Sequence, residues 1–209
     1  MNGRVDRRFE LAATVLLAVA AVATAWASYQ SASWRGEQAK ASGASIAARV
    51  ESTREAGVAN RQGQIDVALF TQWVDAYARE ETELADFYRR RFRDEFRPAF
   101  EAWVATRPRV NRSAPLSPFA MPEYKLAATE KADDLEAKAG AFSVRVAQLI
   151  QRADNYSLAV VLFAASLFFA GISTRLHTRT PRMAILGLGY LLFLGSLIWI
   201  ATFPVSLSL

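Results

Sequence analysis

Two long uncharged apolar runs near the end of the chain constrain its fold more than any other feature. They cover residues 156–174 and 183–203, and the basic linker 175–182 separates them. At a rise of 1.5 Å per residue, a helix of either length crosses a hydrocarbon layer of roughly 30 Å. A third run, at 11–29, is also uncharged and is rich in alanine. The sequence therefore predicts three transmembrane helices.

The first run is open to two interpretations. Its basic start, apolar middle and Ala25-Trp26-Ala27 end are typical of a cleavable signal peptide. It can also be an uncleaved first transmembrane helix, with Trp26 and Tyr29 at the level of the lipid headgroups. The length of the run favours the uncleaved helix, because the apolar part of a signal peptide spans only about 7–15 residues.

Arginines beside the apolar runs predict the orientation of the chain. Short loops rich in Lys and Arg stay in the cytoplasm, so we expect the leader 1–10 and the loop 175–182 to lie inside. Residues 30–155 and the C-terminus then lie outside, in a multi-pass protein of a bacterial-type inner membrane. The residues that predict this topology are Arg4, Arg7, Arg8, Arg175, Arg179 and Arg182.

The net charge of +5 comes mainly from these flanking arginines. Basic and acidic residues between the first and second apolar runs nearly balance each other. The basic composition therefore indicates membrane orientation and does not indicate a nucleic-acid partner. The expected partners are the lipid bilayer and either another protein or further copies of the chain.

The outer segment predicts an all-α domain resembling a helical bundle or a coiled-coil stalk. Its composition predicts helices over about 30–60, 64–106 and 123–155, with a proline-rich connector at 108–122. The last helix is expected to continue into the second transmembrane helix without a break. This layout of membrane helices around a helical outer domain resembles bacterial four-helix-bundle sensory domains in architecture only, since it lacks their large cytoplasmic signalling part.

Two features set the expected course of the outer segment. Gly57, Asn60 and Gly63 predict either a bend or a full reversal between the first two helices. Aromatic and apolar residues then recur at steps of three and four from Phe70 to Trp103. This period predicts one long amphipathic helix, kinked near Pro98 and long enough to pack along its neighbours.

The sequence carries no recognisable catalytic or cofactor motif, so we expect a non-enzymatic protein without cofactor or metal. The chain has no cysteine and one histidine, His177, which leaves no thiolate or paired-imidazole metal site. An acidic cluster at residues 80–86 is the best site for an alternative enzymatic role on a lipid or envelope substrate. Its carboxylates are interpreted here as a solvated helix face.

Two groups of residues are candidates for contacts. The first is basic and aromatic, and it suits contact with lipid headgroups or with a protein partner. Alternatively, its aromatic member belongs to the core of the outer domain. This group comprises Arg89, Arg90, Arg91, Arg93, Arg97, Trp103 and Arg107. The second allows close helix packing within one chain or between subunits. It comprises Gly171, Gly187, Gly189 and Gly195.

The function expected from these features is an interaction, scaffold or sensory role as an accessory subunit in the membrane. The alternative is a homo-oligomeric channel whose pore is built from several copies of the first or third transmembrane helix. No ionisable residue lies within the three runs. Active transport is therefore disfavoured, because proton relays and ion-coupled transporters use such residues at membrane depth.

Overall fold

The computed structural model describes residues 2–176 and 178–206, and of residues 2–6 and 8 the backbone alone. Within these residues the chain is all-helical and contains no β-strand, as predicted. The elements are α1 (Asn2–Ala78), α2 (Thr82–Arg89), α3 (Arg97–Ala105), a 3₁₀ turn (Pro118–Ala120), α4 (Ala127–Ser173) and α5 (Arg179–Ile200).

Three of these helices are long and apolar enough to cross a membrane, which agrees with the number of predicted spans. They are α1, α4 and α5. In the most apolar window of each, only 22%, 33% and 28% of the residues are buried. Exposed apolar surface of this extent is unfavourable in water and suits contact with lipid.

The described chain divides into two compact units. The terminal unit comprises Met1–Gly43 and Phe142–Leu209, and the central unit comprises Ala44–Ala141. Helices α1 and α4 contribute residues to both units, whereas α2 and α3 belong to the central unit and α5 to the terminal unit.

The core of the terminal unit repeats every seven residues on two helices. Ala13, Ala20, Ala27 and Trp34 are buried on α1, and Leu149, Tyr156, Phe163 and Ala170 are buried on α4. A seven-residue step keeps side chains on one face of a helix that winds around its neighbour. Three of the four α1 positions are alanine, which permits the close approach of a neighbouring helix.

A polar cluster in the terminal unit fixes the segment after α5. Gln30 is fully buried, its Nε2 donates to the carbonyl of Ser206 (3.1 Å), and its Oε1 accepts from the Ser206 N–H (2.8 Å). The Tyr156 hydroxyl donates to the carbonyl of Pro204 (3.1 Å). These bonds satisfy backbone groups that α5 no longer pairs after its end at Ile200.

The central unit is built on an antiparallel pairing of α1 with α4. The Ser45 hydroxyl donates to the carbonyl of Ala139 (3.0 Å), and the Ser52 hydroxyl donates to the carbonyl of Ala132 (2.9 Å). Buried residues of α1 again recur every seven positions. They are Ser45, Ser52, Ala59, Asp66 and Trp73.

The predicted bend or reversal at residues 57–63 is wrong. Helix α1 runs through this stretch without interruption to Ala78, and no glycine among the described residues has a positive φ. Ala59 is buried, and the Tyr124 hydroxyl lies 3.6 Å from the position a Cβ would take at Gly63. Packing against these neighbours outweighs the cost of glycine in a helix, about 1 kcal/mol per residue.

The single amphipathic helix predicted over 64–106 is also wrong. The stretch divides into the end of α1, α2 and α3, and the first break lies at Glu80, whose φ is 62°. Pro98 does not kink a helix but lies in the first turn of α3, where its missing N–H costs nothing. The aromatic period persists because all three segments face one shared core.

The helix predicted over 123–155 begins later than expected, and its predicted unbroken continuation into the second apolar run is confirmed. It forms the start of α4, whose first residue is Ala127 and which extends unbroken to Ser173. The Glu95 carboxylate accepts a hydrogen bond from the Ala127 N–H (3.2 Å) and so caps the helix start. In contrast, α5 begins earlier than predicted, at Arg179 inside the predicted linker.

Candidate functional site

The central unit has an aromatic core to which α1, α3 and the segment before α4 all contribute. Phe92, Phe96 and Phe100 are almost fully buried. Phe70 meets Trp103 edge-on at 5.4 Å between ring centroids, and Phe96 stacks on Phe119 at 5.1 Å. Such offset and edge-on pairs contribute roughly 0.5–1.5 kcal/mol each beyond the area they bury.

A buried ion-pair network borders this core. The Asp66 side chain on α1 is fully buried, and its Oδ2 accepts from Arg93 Nη1 (2.9 Å) and from the Tyr124 hydroxyl (3.2 Å). Arg93 also pairs with Glu95. Since Glu95 caps α4, the network ties α1 to the segment between α2 and α3 and to the start of α4.

Burial governs the acidities in this network. Withdrawal from water raises the pKa of Asp66, against the opposing effects of Arg93 and the Tyr124 hydrogen bond. The pKa of Tyr124 is raised to about 12, first by burial and then by the neighbouring Asp66 charge. The Tyr124 hydroxyl therefore stays protonated and acts as a donor to Asp66 at neutral pH.

Two acceptors beside this network have no hydrogen-bond partner within the described part of the chain. They are Asp66 Oδ1 and Gln62 Oε1, and both atoms are buried. Residues 62 and 66 are one helical turn apart on α1, so the two side chains project from the same side of the helix. Buried acceptors of this kind are usually satisfied by an ordered water molecule.

A cleft of ≈450 Å³ opens beside the aromatic core, and the end of α1, α2 and α3 line it. Trp73 and Tyr77 stack in its wall at 4.9 Å, and Phe100 meets Trp73 edge-on at 4.7 Å. Its polar lining consists of Thr82, Asp86, Arg89 and Glu101. We call this cavity the aromatic cleft.

The predicted headgroup or partner surface is divided by the fold. Arg93 is held in the buried network, and Trp103 is buried in the core with its Nε1 donating to the carbonyl of Pro115 (2.7 Å). Arg91 stacks over the Phe87 ring at 3.5 Å. Arg89 lines the aromatic cleft. The core interpretation is thus correct for Trp103, and Arg93 is not available as a surface contact.

The remaining members of that surface are exposed. Arg97 pairs with Asp94 at 3.3 Å and donates to the carbonyl of Phe92. Arg90 is exposed, and Arg107 is exposed in a turn with a φ of 55°. The acidic cluster at 80–86 contributes only Asp86 to the aromatic cleft. Across the described residues, no group of three acidic or histidine side chains could hold a metal ion.

Among the four membrane glycines, Gly189 marks a close approach. A Cβ at this position would lie 3.4 Å from Leu16 Cδ2 and 3.4 Å from the carbonyl oxygen of Ser166. A Cβ at Gly171, Gly187 or Gly195 would meet no described atom within 4 Å. Gly189 therefore serves packing within the terminal unit, whereas Gly171, Gly187 and Gly195 face open space.

Among the topology arginines whose side chains are described, three are exposed and Arg182 is partly buried. Arg7, Arg175 and Arg179 are exposed, and the Arg182 guanidinium lies 5.7 Å from the centre of the Phe9 ring. The side chains of Arg4 and Arg8 lie outside the described part of the structure. His177 also lies outside it.

The sequence interpretation missed Asp66, although a signal for it exists. Asp66 follows Ser45, Ser52 and Ala59 at steps of seven, on a line of small buried residues. A lone carboxylate on such a line predicts a buried charge with a basic partner. The aromatic cleft could not be found in this way, because it depends on the turn at Glu80 that folds α2 back.

Comparison with protein-family models, with curated proteins and with solved structures finds no match.

Proposed function

We propose that the chain is a three-span protein of a bacterial-type inner membrane whose central unit is extracytoplasmic. In this arrangement residues 1–10 and the linker before α5 lie in the cytoplasm. The exposed positions of Arg7, Arg175 and Arg179 support it, since arginines at the cytoplasmic ends of spans stay in water. The central unit then forms a stalk-like domain, with the seven-residue spacing of its buried residues supporting coiled-coil-like packing.

The proposed role is non-enzymatic: the central unit binds a ligand or partner, and the chain serves as a sensory, scaffold or accessory subunit. The observation that carries this proposal is that α1 and α4 each contain an apolar span and also build the central unit. A change in the packing of the central unit therefore acts on the same helices that cross the membrane.

A photocrosslinking experiment tests this role. The photoreactive residue p-benzoylphenylalanine replaces Leu116, which is 99% exposed, in the full-length chain in its native membrane. An interaction role predicts one discrete adduct of constant mass. The matched control carries the same residue at Thr53, which is exposed on α1 and should give no adduct. Turnover of a substrate by the purified chain alone would contradict the non-enzymatic role.

A homo-oligomeric channel is the second candidate, and the surface of α5 supports it. Leu191, Leu194 and Ile198 are exposed there, and a groove of ≈380 Å³ beside Gly195 and Trp199 runs between α4 and α5. A helix from a second copy would fit such a groove. The mass of the chain in lipid discs tests this candidate, since a strictly monomeric protein with three spans cannot enclose a pore.

A further inference from the structure

We propose that the loop between α3 and the 3₁₀ turn docks an acidic segment of a partner protein. This loop comprises residues 106–117, and we call it the basic loop. The inference rests on the binding role proposed for the central unit and names the chemistry of the partner that this unit binds.

The basic loop carries positive charges that have no ion-pair partners. It contains Arg107, Arg109 and Arg112, all of them exposed, and it contains no acidic residue. Asp86 and Glu101 line the neighbouring aromatic cleft, but within the described chain none of the three arginines forms an ion pair. Three guanidinium groups of this kind favour a partner surface that supplies carboxylates.

Hydrogen bonds hold the basic loop in an ordered conformation. The Trp103 Nε1 donates to the carbonyl of Pro115 (2.7 Å). The Asn111 side chain donates to the carbonyl of Thr106 (3.1 Å) and accepts from the Ser113 N–H (3.0 Å). A loop that is already ordered loses less conformational entropy when a partner binds, so its arginines are presented at a reduced entropic cost.

Arg107 occupies a backbone conformation that glycine fits better. Its φ is 55°, in the left-handed region, and its carbonyl accepts hydrogen bonds from the N–H groups of Val110 and Asn111 (both 3.0 Å). Its guanidinium pairs with no carboxylate of the described residues. An arginine at such a position, with its charge unused within the described chain, indicates a role for the side chain outside the fold.

Arg109 is placed for the same kind of contact. Its guanidinium lies over the Tyr77 ring, 5.3 Å from the ring centre. A guanidinium above an aromatic face keeps the N–H groups at its edge available, and its planar fork matches a carboxylate. All basic residues of the loop are arginines and none is a lysine, which favours bidentate recognition of carboxylates.

The apolar side chains of the loop favour a protein over a lipid surface. Val110 is 78% exposed and Leu116 is 99% exposed, so two aliphatic side chains accompany the arginines. The loop contains no aromatic residue, whereas membrane interfaces are enriched in Trp and Tyr. The expected partner segment therefore carries apolar residues between its carboxylates. A contact of this size suits a transient complex.

Photocrosslinking from within the loop tests the proposal. p-Benzoylphenylalanine replaces Val110 in the full-length chain in its native membrane, and an immunoblot measures the yield of the adduct. We expect one discrete adduct with a protein. Capture of a protein does not by itself show that carboxylates are recognised. Mass spectrometry of the attached peptide should therefore find more Asp and Glu than Lys and Arg in it.

Arginine variants that also carry the photoreactive residue assign the contact to the charges of the loop. Arg112→Gln should lower the adduct yield about twofold, because an exposed ion pair contributes little. Arg107→Gly, Arg109→Gln and Arg112→Gln together should lower it about tenfold. Arg61→Gln is the matched control and should leave the yield unchanged. Arg61 lies on α1 and is likewise exposed and without an ion pair in the described chain.

Arg107→Gly also separates recognition from folding. Glycine suits the φ of this position, so the midpoint of denaturant unfolding in maltoside micelles should equal or exceed that of the unsubstituted chain. The adduct yield should nevertheless fall about twofold. A purely structural role for Arg107 would instead lower the unfolding midpoint.

Four results would overturn the proposal. The first is the absence of an adduct at residue 110, and the second is an attached peptide without a surplus of Asp and Glu. The third is a yield that the triple arginine variant does not change. The fourth is an adduct with lipid, which would make the loop a headgroup-binding surface. In each case a discrete protein adduct at residue 116 would still support the interaction role, so the two failures can be told apart.

Discussion

At the scale of single residues, the central unit depends on how one buried charge is compensated. Asp66 is fully buried, and the Arg93 guanidinium that neutralises it is itself mostly withdrawn from water. An ion pair in such surroundings adds little net stability, because both charges lose their hydration. Removing one partner is far more costly, because it leaves the other charge buried without compensation.

Arg93→Met should therefore destabilise the protein strongly at neutral pH, by about 3 kcal/mol. Adding Asp66→Asn to this variant should restore most of the loss, because the uncompensated carboxylate is then gone. Unfolding by denaturant in maltoside micelles measures both changes. Arg79→Met is the control, since Arg79 pairs with Asp75 on an exposed surface and its loss should cost less than about 0.5 kcal/mol. An equal loss of stability in Arg93→Met and Arg79→Met would show that Arg93 does not compensate a buried charge on Asp66.

The buried carboxylate also predicts a pH dependence. Burial raises the pKa of Asp66 despite Arg93 and Tyr124, with Glu95 adding to the rise, so the folded chain holds the proton more tightly than the unfolded chain. This stabilisation is fully present below the unfolded pKa of about 3.9 and is lost as the pH rises through the folded pKa. Asp66→Asn cannot titrate at this position.

The free energy of unfolding of the wild-type protein should consequently fall relative to that of Asp66→Asn as the pH rises above about 4, and the fall should end once the pH has passed the raised pKa of folded Asp66. Denaturation curves of both proteins at several pH values give the difference, in which the other titrating groups cancel. A difference that does not change with pH, or that changes in the opposite direction, would show that the pKa of Asp66 is not raised.

At the scale of helices, the sequence carried enough information for the apolar spans but not for the central unit. The spans depend on length and composition alone, which the chain displays directly at 156–174 and 183–203. The helix over 64–106 could not be predicted correctly, because a three-to-four-residue period is the same in one long helix and in short helices that share a core. The break at Glu80 carries neither glycine nor proline and is stabilised by the fold around it.

Because α1 is continuous through residues 57–63, replacing its glycines there should increase the stability of the protein. Gly57→Ala and Gly63→Ala should together stabilise the protein by about 1–2 kcal/mol, because alanine favours the helix and a Cβ fits at both sites. Denaturant unfolding of the double variant measures this. Loss of stability would contradict a continuous helix and favour a bend that requires glycine.

Gly189 and Gly187 form a matched pair for the packing of α5. Valine at Gly189 should destabilise the protein by about 1–3 kcal/mol, because its Cβ alone would reach Leu16 and the Ser166 carbonyl. Valine at Gly187 faces open space and should change stability by less than about 0.5 kcal/mol. Thermal unfolding in micelles compares the two. Equal effects would show that the close approach of α5 is not specific to Gly189.

At the scale of the whole molecule, the proposed role requires a defined distribution of the chain across the membrane. The three apolar helices suit a lipid environment. The arginines beside them favour a cytoplasmic location for residues 1–10 and for the linker before α5. In the proposed arrangement the aromatic cleft and the buried network would lie outside the cytoplasm, accessible to extracytoplasmic ligands or partners. The proposed role depends on this arrangement.

Cysteine labelling in intact cells tests that arrangement most directly. The natural chain has no cysteine, so Arg112→Cys in the central unit and Thr180→Cys at the start of α5 each introduce a single reactive site. With the outer envelope permeabilised, a membrane-impermeant maleimide should label the Arg112→Cys variant in intact cells and the Thr180→Cys variant only after lysis. The reverse pattern would place the central unit in the cytoplasm and contradict its proposed extracytoplasmic location.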